Sequence, residues 1–310
     1  MSSINDAMPL AISHPVRKAE SARPRPGSFR RVWWRHGLAV LALIWSLFPI
    51  VFIISAALNP SGTMNTAELF PKNVSMTNFD ALFSDTARPY LTWYKNSMII
   101  AGAGALASVF IGSCAAYAFS RMRFTGRRPG LFALLLLQMF PALLAFVALY
   151  VTFVAVGDVL PAIGINTSAG LILAYLGGAM GANVWLLKGY FDTVPRELDE
   201  AAKVDGASHA RIFFTMTLRL VMPILVTVFM LSFVGLFGEF LLASIFLRDV
   251  DSQTLGVGLW SMVSLTGNSD RNKYFGQFCA GAMLASLPVV LLYLGFQKQL
   301  VGGLTQGSVK

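Results

Sequence analysis

SMIIAGAGALASVFIGSCAAYAF, residues 97–119, is a long run without a charged side chain. A helix needs about 20 mostly apolar residues to cross the hydrocarbon core of a bilayer, and the run lacks the period-two alternation of a membrane strand. Five more runs of this kind occur at 36–58, 131–153, 169–187, 220–246 and 274–297. The sequence therefore predicts an all-α membrane protein with six transmembrane helices.

The composition of the chain excludes most other classes of protein. Of its 310 residues 55% are hydrophobic and 13% are charged, against roughly 25% charged residues in a soluble domain. Too few charges remain to cover the surface of a soluble enzyme. The two cysteines, Cys114 and Cys279, lie inside apolar runs, so we expect small buried side chains and no disulfide framework.

The distribution of Lys and Arg predicts that both termini are cytoplasmic. Eighteen of the 24 basic residues lie in 1–35, in 120–130, in 188–219 or at the end of the chain. The other six lie in the remaining connections: Lys72, Arg88, Lys95, Arg248, Arg271 and Lys273. The net charge of +9 is therefore a topology signal, and we expect no nucleic-acid partner.

This topology divides the chain into three parts. Residues 1–35 are predicted to form a disordered, basic cytoplasmic tail that is attracted to anionic membrane lipid. Residues 36–298 are predicted to form the six-span domain, and residues 299–310 are predicted to form a cytoplasmic C-terminal tail. The first apolar run follows 35 mostly polar residues, which is too long for a cleavable signal peptide, so we expect it to remain as an anchor.

Small side chains recur every fourth residue along 97–119. They form one smooth helix face, which predicts close packing against another helix. The residues are Gly104, Ser108, Gly112 and Ala116. Prolines within four of the spans predict kinks: Pro49, Pro141, Pro223 and Pro288.

Glu239 is the only acidic or basic side chain well inside a predicted span. A carboxylate there is costly unless it faces a cavity or a partner, so Glu239 is a candidate for the translocation path. The alternative is a place near the outer end of the helix, facing external water, and both interpretations remain open. Gln138 and Asn183 are weaker candidates, because amides often only bond neighbouring helices. One acidic residue also argues against an ion-coupled carrier.

The segment 192–223, DTVPRELDEAAKVDGASHARIFFTMTLRLVMP, connects spans four and five on the predicted cytoplasmic side. Pro195 suits the first turn of a helix, and the acids that follow are favoured near its positive end. Gly206 indicates the end of that helix, and a second helix starts near Ser208. A short exposed helix with small side chains predicts an element that docks on another protein; an ordinary solvated helix is the alternative.

The segment resembles the EAA loop of ABC importer permeases. Further stretches resemble the second, shorter permease of the maltose/maltodextrin-type importers, and the resemblance covers most of the chain from about residue 36. These stretches are AYAFSRMRFTG (116–126), QMFPALLAFVALY (138–150), GINTSAGLILAYLGG (164–178), KGYF (188–191), LRDV (247–250) and GLTQGSVK (303–310).

The resemblance implies a subunit with no catalytic site of its own. Its expected partners are a second permease, a dimeric ABC ATPase and an extracytoplasmic sugar-binding protein. The loop 189–219 would couple to the ATPase through Glu200, Ala201, Ala202, Asp205, Gly206 and Ala207. The C-terminal tail would reach the ATPase through Gly303, Leu304, Thr305, Gln306 and Gly307. The external segment 247–273 would contact the binding protein.

Three features depart from the family pattern. Phe237-Gly238 stands where Trp-Asn usually precedes the acidic residue, which weakens a direct sugar contact by Glu239. Arg219 stands where proline is common, so the second loop helix is expected to enter the membrane differently. The N-terminal tail is also longer than the resemblance implies.

The sequence lacks the motifs of an enzyme. Gly-Lys never occurs, so there is no phosphate-binding loop for ATP. The three histidines, His14, His36 and His209, are too scattered for a metal site, and no cofactor is expected. We therefore predict a multi-pass permease of the cell membrane that imports a carbohydrate of the maltose/maltodextrin or trehalose class. The alternatives are a secondary carrier, a membrane enzyme subunit and a membrane subunit that transports nothing.

Overall fold

The computed structural model describes residues 29–61, 63, 69–71, 73–264 and 268–305. The described residues form helices joined by turns and loops and contain no strand, which confirms the predicted all-α class. The helices are α1 (Phe29–Leu58), α2 (Thr77–Ser84), α3 (Tyr90–Arg121), α4 (Arg127–Gln138), α5 (Ala142–Val159), α6 (Ser168–Phe191), α7 (Arg196–Val204), α8 (His209–Ile212), α9 (Leu218–Leu220), α10 (Met222–Phe237), α11 (Leu241–Phe246), α12 (Leu255–Ser264) and α13 (Asn268–Thr305).

Four helical stretches in the described part of the chain are long and apolar enough to cross a membrane. They are Trp33–Leu58, Tyr90–Arg121, Ala142–Val159 and Asn272–Gln297. Two bent pairs, within α6 and from α8 to α10, raise the number to six if each pair is a single span. The structure thus holds four to six candidate spans.

The third predicted span, 131–153, is wrong in its bounds. A break at Met139–Pro141 separates α4 from α5, and the apolar stretch of sufficient length is Ala142–Val159. Pro141 explains the break, because a proline nitrogen donates no hydrogen bond and its ring clashes with the preceding turn. Apart from Gln138, the side chains on both sides of the break are apolar, and this hid the break in the sequence.

The chain forms two compact units, Met1–Pro49 and Ile50–Lys310. In the first unit, the described side chains from Trp33 to Pro49 are exposed. The second unit is organised around α3, which packs along α6 and α10. At the Tyr90 end of α3 the buried core includes Trp93, Leu255 and Met262. At its Arg121 end the core includes Tyr117 and Phe191.

The small-residue face of α3 packs as predicted. Gly104, Ser108, Gly112 and Ala116 are all buried. A methyl group at Gly104 would lie 2.8 Å from Cδ1 of Leu236 in α10, and one at Gly112 would lie 3.4 Å from Leu187 in α6. Because two helices approach α3 this closely, larger side chains on this face would force them apart.

The connection from α8 to α10 turns sharply. The helical stretch His209–Leu220 makes an angle of 79° with Met222–Phe237. It includes a π-helical turn at Phe213–Thr217, and Pro223 occupies the first turn of α10, where a missing N–H costs least. The predicted kink at Pro223 is therefore a change of helix. Pro49 and Pro288 lie inside α1 and α13.

Candidate functional site

The short helix predicted between Pro195 and Gly206 is α7. Pro195 immediately precedes it with extended backbone, and Glu197 and Asp199 lie in its first turn. These acids face the positive end of the helix dipole, and Lys203 lies in the last turn near the negative end. The charge pattern within the segment therefore favours the helix that forms.

Gly206 ends α7 in the manner that the sequence predicts. Its φ is +81°, in the left-handed region that favours glycine. The Gly206 N–H donates to the Lys203 carbonyl (3.0 Å), and the Ala207 N–H donates to the Ala202 carbonyl (2.9 Å). These two bonds form a Schellman motif, which satisfies carbonyls that the last turn would leave unpaired. Asp205 is the C-cap residue.

Helix α7 has a buried face and an exposed face. Asp199 and Ala202 are buried. Glu200, Ala201 and Val204 are exposed, and the Val204 side chain reaches 88% exposure. The exposed face of α7 therefore carries a carboxylate, a small side chain and an apolar side chain.

Arg121, the last residue of α3, holds the buried face of α7. Its Nε lies 3.0 Å from Oδ2 of Asp199, with only 4% of the Arg121 side chain and 9% of the Asp199 side chain exposed. The two atoms attract each other electrostatically, although the N–H is not aligned for a hydrogen bond. Arg121 also donates through Nη2 to the carbonyl of Val194, just before α7 (2.6 Å). One guanidinium therefore fixes both the approach to α7 and its first turn.

Asp192 adds a further link at the same end of α3, this time between α3 and α6. Its carboxylate accepts hydrogen bonds from Ser120 Oγ (2.6 Å) and from Lys188 Nζ. Burial raises the pKa of the Asp192 carboxyl, but the hydrogen bonds from Lys188 and Ser120 lower it by more, so the pKa lies below its ordinary value of 3.8. Asp192 is therefore charged at neutral pH, and it ties the end of α6 to the end of α3.

A cavity of about 480 Å³ lies between the end of α3 and α7. Its lining is predominantly charged: Tyr117, Arg121, Met122, Arg123, Arg196, Asp199, Glu200, Lys203 and His209. His209 begins the second loop helix, and its carbonyl accepts a bond from the Tyr117 hydroxyl (3.4 Å). The second helix starts as predicted, because Ser208 caps it by accepting from the Arg211 N–H. Arg219 is exposed, just before the 79° turn.

Glu239 lies between α10 and α11 and caps α11. One of its carboxylate oxygens accepts from the Leu242 N–H (2.8 Å), and the other accepts from the Ala243 N–H (3.0 Å). The hydroxyl of Tyr175, in α6, donates to the latter oxygen. The predicted span 220–246 is therefore interrupted at Gly238–Phe240, and the carboxylate is occupied by groups of this chain.

The two amides singled out in the sequence bond or pack between helices. Asn183 Nδ2 donates to Ser108 Oγ (2.7 Å) and lies 3.4 Å from Ser232 Oγ, so it joins α6 to α3 and α10. Gln138 ends α4 beside Gly181, where an added methyl group would lie 2.6 Å from the Gln138 side chain. Both positions fit the interpretation that these amides connect neighbouring helices.

The segment 247–273 contains more than an external loop. It includes a 3₁₀ turn (Val250–Ser252), the apolar helix α12 and the start of α13. The Tyr90 end of α3 anchors it: Trp93 Nε1 donates to the Val250 carbonyl (2.7 Å), Asn96 Nδ2 to the Asp251 carbonyl (2.8 Å), and the Leu255 N–H donates to Ser97 Oγ (2.7 Å). Half of α12 is buried, so only part of the segment is free for a partner.

The C-terminal residues are described only in part. Gly303, Leu304 and Thr305 form the last turn of α13. Gln306 and Gly307 lie outside the described residues, as does His14. Among the described residues no three His, Cys, Asp or Glu side chains are grouped as metal ligands would be. Cys279 is buried and Cys114 is half-buried, and both are free thiols.

The sequence interpretation missed Arg121, Asp199 and Tyr175. In the sequence, Arg121 contributes only to the distribution of basic residues that predicts the topology, and Asp199 is only one of the acids that follow Pro195. A helical wheel of α7 would have found the signal for Asp199, because it shares the face of Ala202, away from Glu200 and Ala201. Nothing in the sequence pairs it with a residue 78 positions earlier.

Residues 108–305 match the family described as the binding-protein-dependent transport system inner membrane component. The maltose/maltodextrin transport system permease protein MalG of Vibrio vulnificus (strain YJ016) is 40% identical over 291 residues, which cover 90% of this chain and 96% of the relative. MalG of Escherichia coli (strain K12) is 38% identical with the same coverage. Both relatives are named as permease proteins.

Two solved structures share the fold. A bacterial ABC transporter that imports the acidic polysaccharide alginate matches with a TM-score of 0.73 at 22% identity, over 89% of this chain and 99% of that one. A bacterial alginate ABC transporter in complex with its pentasaccharide-bound periplasmic protein matches with a TM-score of 0.62 at 15% identity. At these identities the likeness concerns the fold alone. Because the family match spans most of the chain and the relatives cover nearly all of it, this chain belongs to the inner membrane components of binding-protein-dependent transport systems.

Proposed function

We propose that the chain is the membrane-spanning permease subunit of an ATP-driven carbohydrate importer, most similar to those for maltose/maltodextrin or trehalose. The observation that carries the proposal is α7, a short helix that is fixed on its inner face by Arg121 and exposes Glu200, Ala201 and Val204. Fixing one face and exposing the other suits a docking helix. The identity to maltose/maltodextrin permeases supports the class of solute.

The proposed topology has six spans and cytoplasmic termini. The two bent pairs support it, because each would add one crossing to the four long apolar helices. The pair within α6 would make the fourth crossing, and α10, in the second pair, would make the fifth. Residues 1–35 and 299–310 are then the cytoplasmic tails, 36–298 the membrane domain and 189–219 the coupling loop. In this topology the second loop helix, which makes an angle of 79° with α10, is proposed to lie near the plane of the membrane, and Arg219 is exposed on it.

The proposed mechanism is alternating access driven by a partner ATPase. When ATP closes the ATPase dimer, the docked α7 moves and carries that motion into the spans. The outer side opens as an extracytoplasmic binding protein releases its sugar. Glu200, Ala201, Ala202, Asp205, Gly206 and Ala207 form the coupling element. Gly303, Leu304, Thr305, Gln306 and Gly307 are proposed to reach the ATPase as well.

A mild-detergent pull-down of the tagged chain with mass spectrometry tests the proposed partners. We expect an ATPase with a phosphate-binding loop and a second permease. In the matched Glu200→Lys variant, reversal of an exposed charge on the docking face should remove the ATPase, leave the second permease and abolish uptake. Recovery of the wild-type chain alone, in more than one detergent, would contradict the proposal and favour a secondary carrier.

A second prediction concerns the exposed part of 247–264 as the contact for the binding protein. Asp249 and Asp251 are exposed next to the 3₁₀ turn that α3 anchors. We expect the double variant Asp249→Lys/Asp251→Lys to weaken stimulation of ATP hydrolysis by the loaded binding protein by about 2- to 10-fold, because reversed rim charges slow association. The measurement is the stimulated rate as a function of binding-protein concentration.

Asp80→Lys is the matched control for this prediction. Asp80 is exposed on α2, and the substitution makes the same Asp-to-Lys change once, half the charge change of the double variant, outside 247–264. The ATPase should co-purify at its usual level with both variants. Equal effects of the two variants on stimulation, or loss of the ATPase, would count against a binding-protein contact at Asp249 and Asp251.

A further inference from the structure

A single helix connects the two ends of the proposed mechanism. At one end of α3, Arg121 contacts Asp199 of α7 and the carbonyl of Val194. At the other end, Trp93 and Ser97 bind the segment that runs from Val250 to Leu255. The helix has 32 residues, which corresponds to a length of about 48 Å at 1.5 Å per residue.

The body of α3 is fixed to its neighbours more than to solvent. Buried residues recur along the helix from Tyr90 to Ser120. Asn183 bonds its middle to α6, and α10 packs on it at Gly104. Because packed helices slide or rotate as units and bend little, a displacement imposed at the Arg121 end is carried along the helix.

The buried ion pair is the point at which α7 can impose that displacement. A buried salt bridge is weak support for stability, because desolvation of the two charges offsets most of their attraction and apolar side chains often replace them without loss. The pair does, however, fix the position of α7 relative to α3. Arg121 contacts Asp199 within α7, and it donates to the carbonyl of Val194 just before α7. Asp192, held by Ser120, restrains the same point from α6.

We propose that Arg121 is a positioning residue that couples α7 to α3 through its buried pair with Asp199, so that α3 transmits the motion of α7 to the 250–255 segment. This inference rests on the proposed docking of α7 on the ATPase. Asp199 lies on the buried face of α7, where its side chain meets Arg121, so the pair lies away from the exposed face that is proposed to dock. Binding of the ATPase and transmission of its motion therefore depend on different residues.

The test uses the complete transporter in proteoliposomes with its ATPase and binding protein. The double variant Arg121→Met/Asp199→Leu removes both charges and keeps side chains of similar size. We expect the ATPase to co-purify within about twofold of the wild-type level. Stimulation of ATP hydrolysis by the loaded binding protein, and solute imported per ATP hydrolysed, should each fall at least about tenfold.

Two further variants keep the outcome interpretable. Arg123→Met makes the same change at an exposed neighbour that lines the same cavity, and it should leave both quantities within about twofold of wild type. Arg121→Lys keeps the charge but cannot hold Asp199 and Val194 with one planar group, so it should give an intermediate loss. This variant decides the question if the double variant does not accumulate in the membrane.

The outcomes separate the two proposals. The role of Arg121 would be overturned if the double variant keeps wild-type stimulation of ATP hydrolysis and wild-type import per ATP. If the double variant does not accumulate, the role would be overturned by an Arg121→Lys variant that shows no loss of either quantity. Loss of the ATPase from the double variant would also overturn it, because the pair would then shape the docking surface. Absence of the ATPase from the wild-type preparation would instead refute the docking of α7.

Discussion

We expect the Gly206→Pro variant to lose solute uptake by more than about 100-fold while the chain still inserts into the membrane. Proline fixes φ near −65°, whereas Gly206 has a φ of +81°. Proline also removes the N–H that donates to Lys203. The substitution therefore destroys the Schellman motif and redirects the chain just beyond α7. The measurements are uptake by cells, the amount of chain in the membrane fraction and co-purification of the ATPase.

Gly206→Asn is the matched control, because asparagine tolerates the left-handed region better than other residues with a side chain. An added Cβ at Gly206 meets no atom within 4 Å, so space does not limit the substitution. We expect the asparagine variant to retain at least about a third of wild-type uptake. Normal uptake by Gly206→Pro would refute the docking role of α7, and equal loss in both variants would show that the position excludes any side chain, whatever φ that residue can adopt.

The local signals around α7 explain why its bounds were predictable. Pro195 restricts the backbone just before the helix starts, and Gly206 permits the left-handed conformation just after it stops. The observed helix, Arg196–Val204, lies just inside them. Ser208 gave the second helix in the same way. Each of these residues acts through its own backbone or the next turn, so the sequence alone carries the information.

Hydropathy predicted the existence of the spans but not their continuity. Glu239 is the only charged residue in the runs 131–153 and 220–246, yet the structure breaks the first at Met139–Pro141 and the second at Gly238–Phe240. A window average counts apolar side chains and does not register which backbone groups lose their partners. The helix α12 was missed for a related reason, because ten apolar residues are too few to predict a span.

The contacts that define the site could not be predicted, because they join distant parts of the chain. Arg121 meets Asp199, and Tyr175 meets Glu239, only after α3, α6 and the following helices have packed. Glu239 stands out in the sequence as the one charge in a predicted span, but the sequence does not show what its carboxylate contacts. Its partners, the N–H groups of Leu242 and Ala243, exist as a site only because α11 begins there.

The same geometry makes Glu239→Leu the other substitution with a large expected effect. Leucine would leave the N–H groups of Leu242 and Ala243 and the Tyr175 hydroxyl without their acceptor. A buried group that loses its partner costs about 1–3 kcal/mol, and three are affected together. We expect a clearly lower midpoint of thermal unfolding for the purified chain in detergent, and a loss of uptake of at least about tenfold. Both are measured against chain level in the membrane.

Glu239→Gln distinguishes a capping carboxylate from one that contacts the solute. The amide oxygen still accepts from one backbone N–H, and the amide nitrogen can donate to the Tyr175 hydroxyl, so only the other backbone N–H loses its acceptor. If Glu239 acts as a cap, the thermal midpoint should fall only slightly and the KM of uptake should stay within about twofold. Tyr175→Phe, which removes one of the three bonds, should be similarly mild. A Glu239→Gln variant with an unchanged midpoint and a KM raised tenfold would instead place the carboxylate on the translocation path, because only the solute would then sense the lost charge.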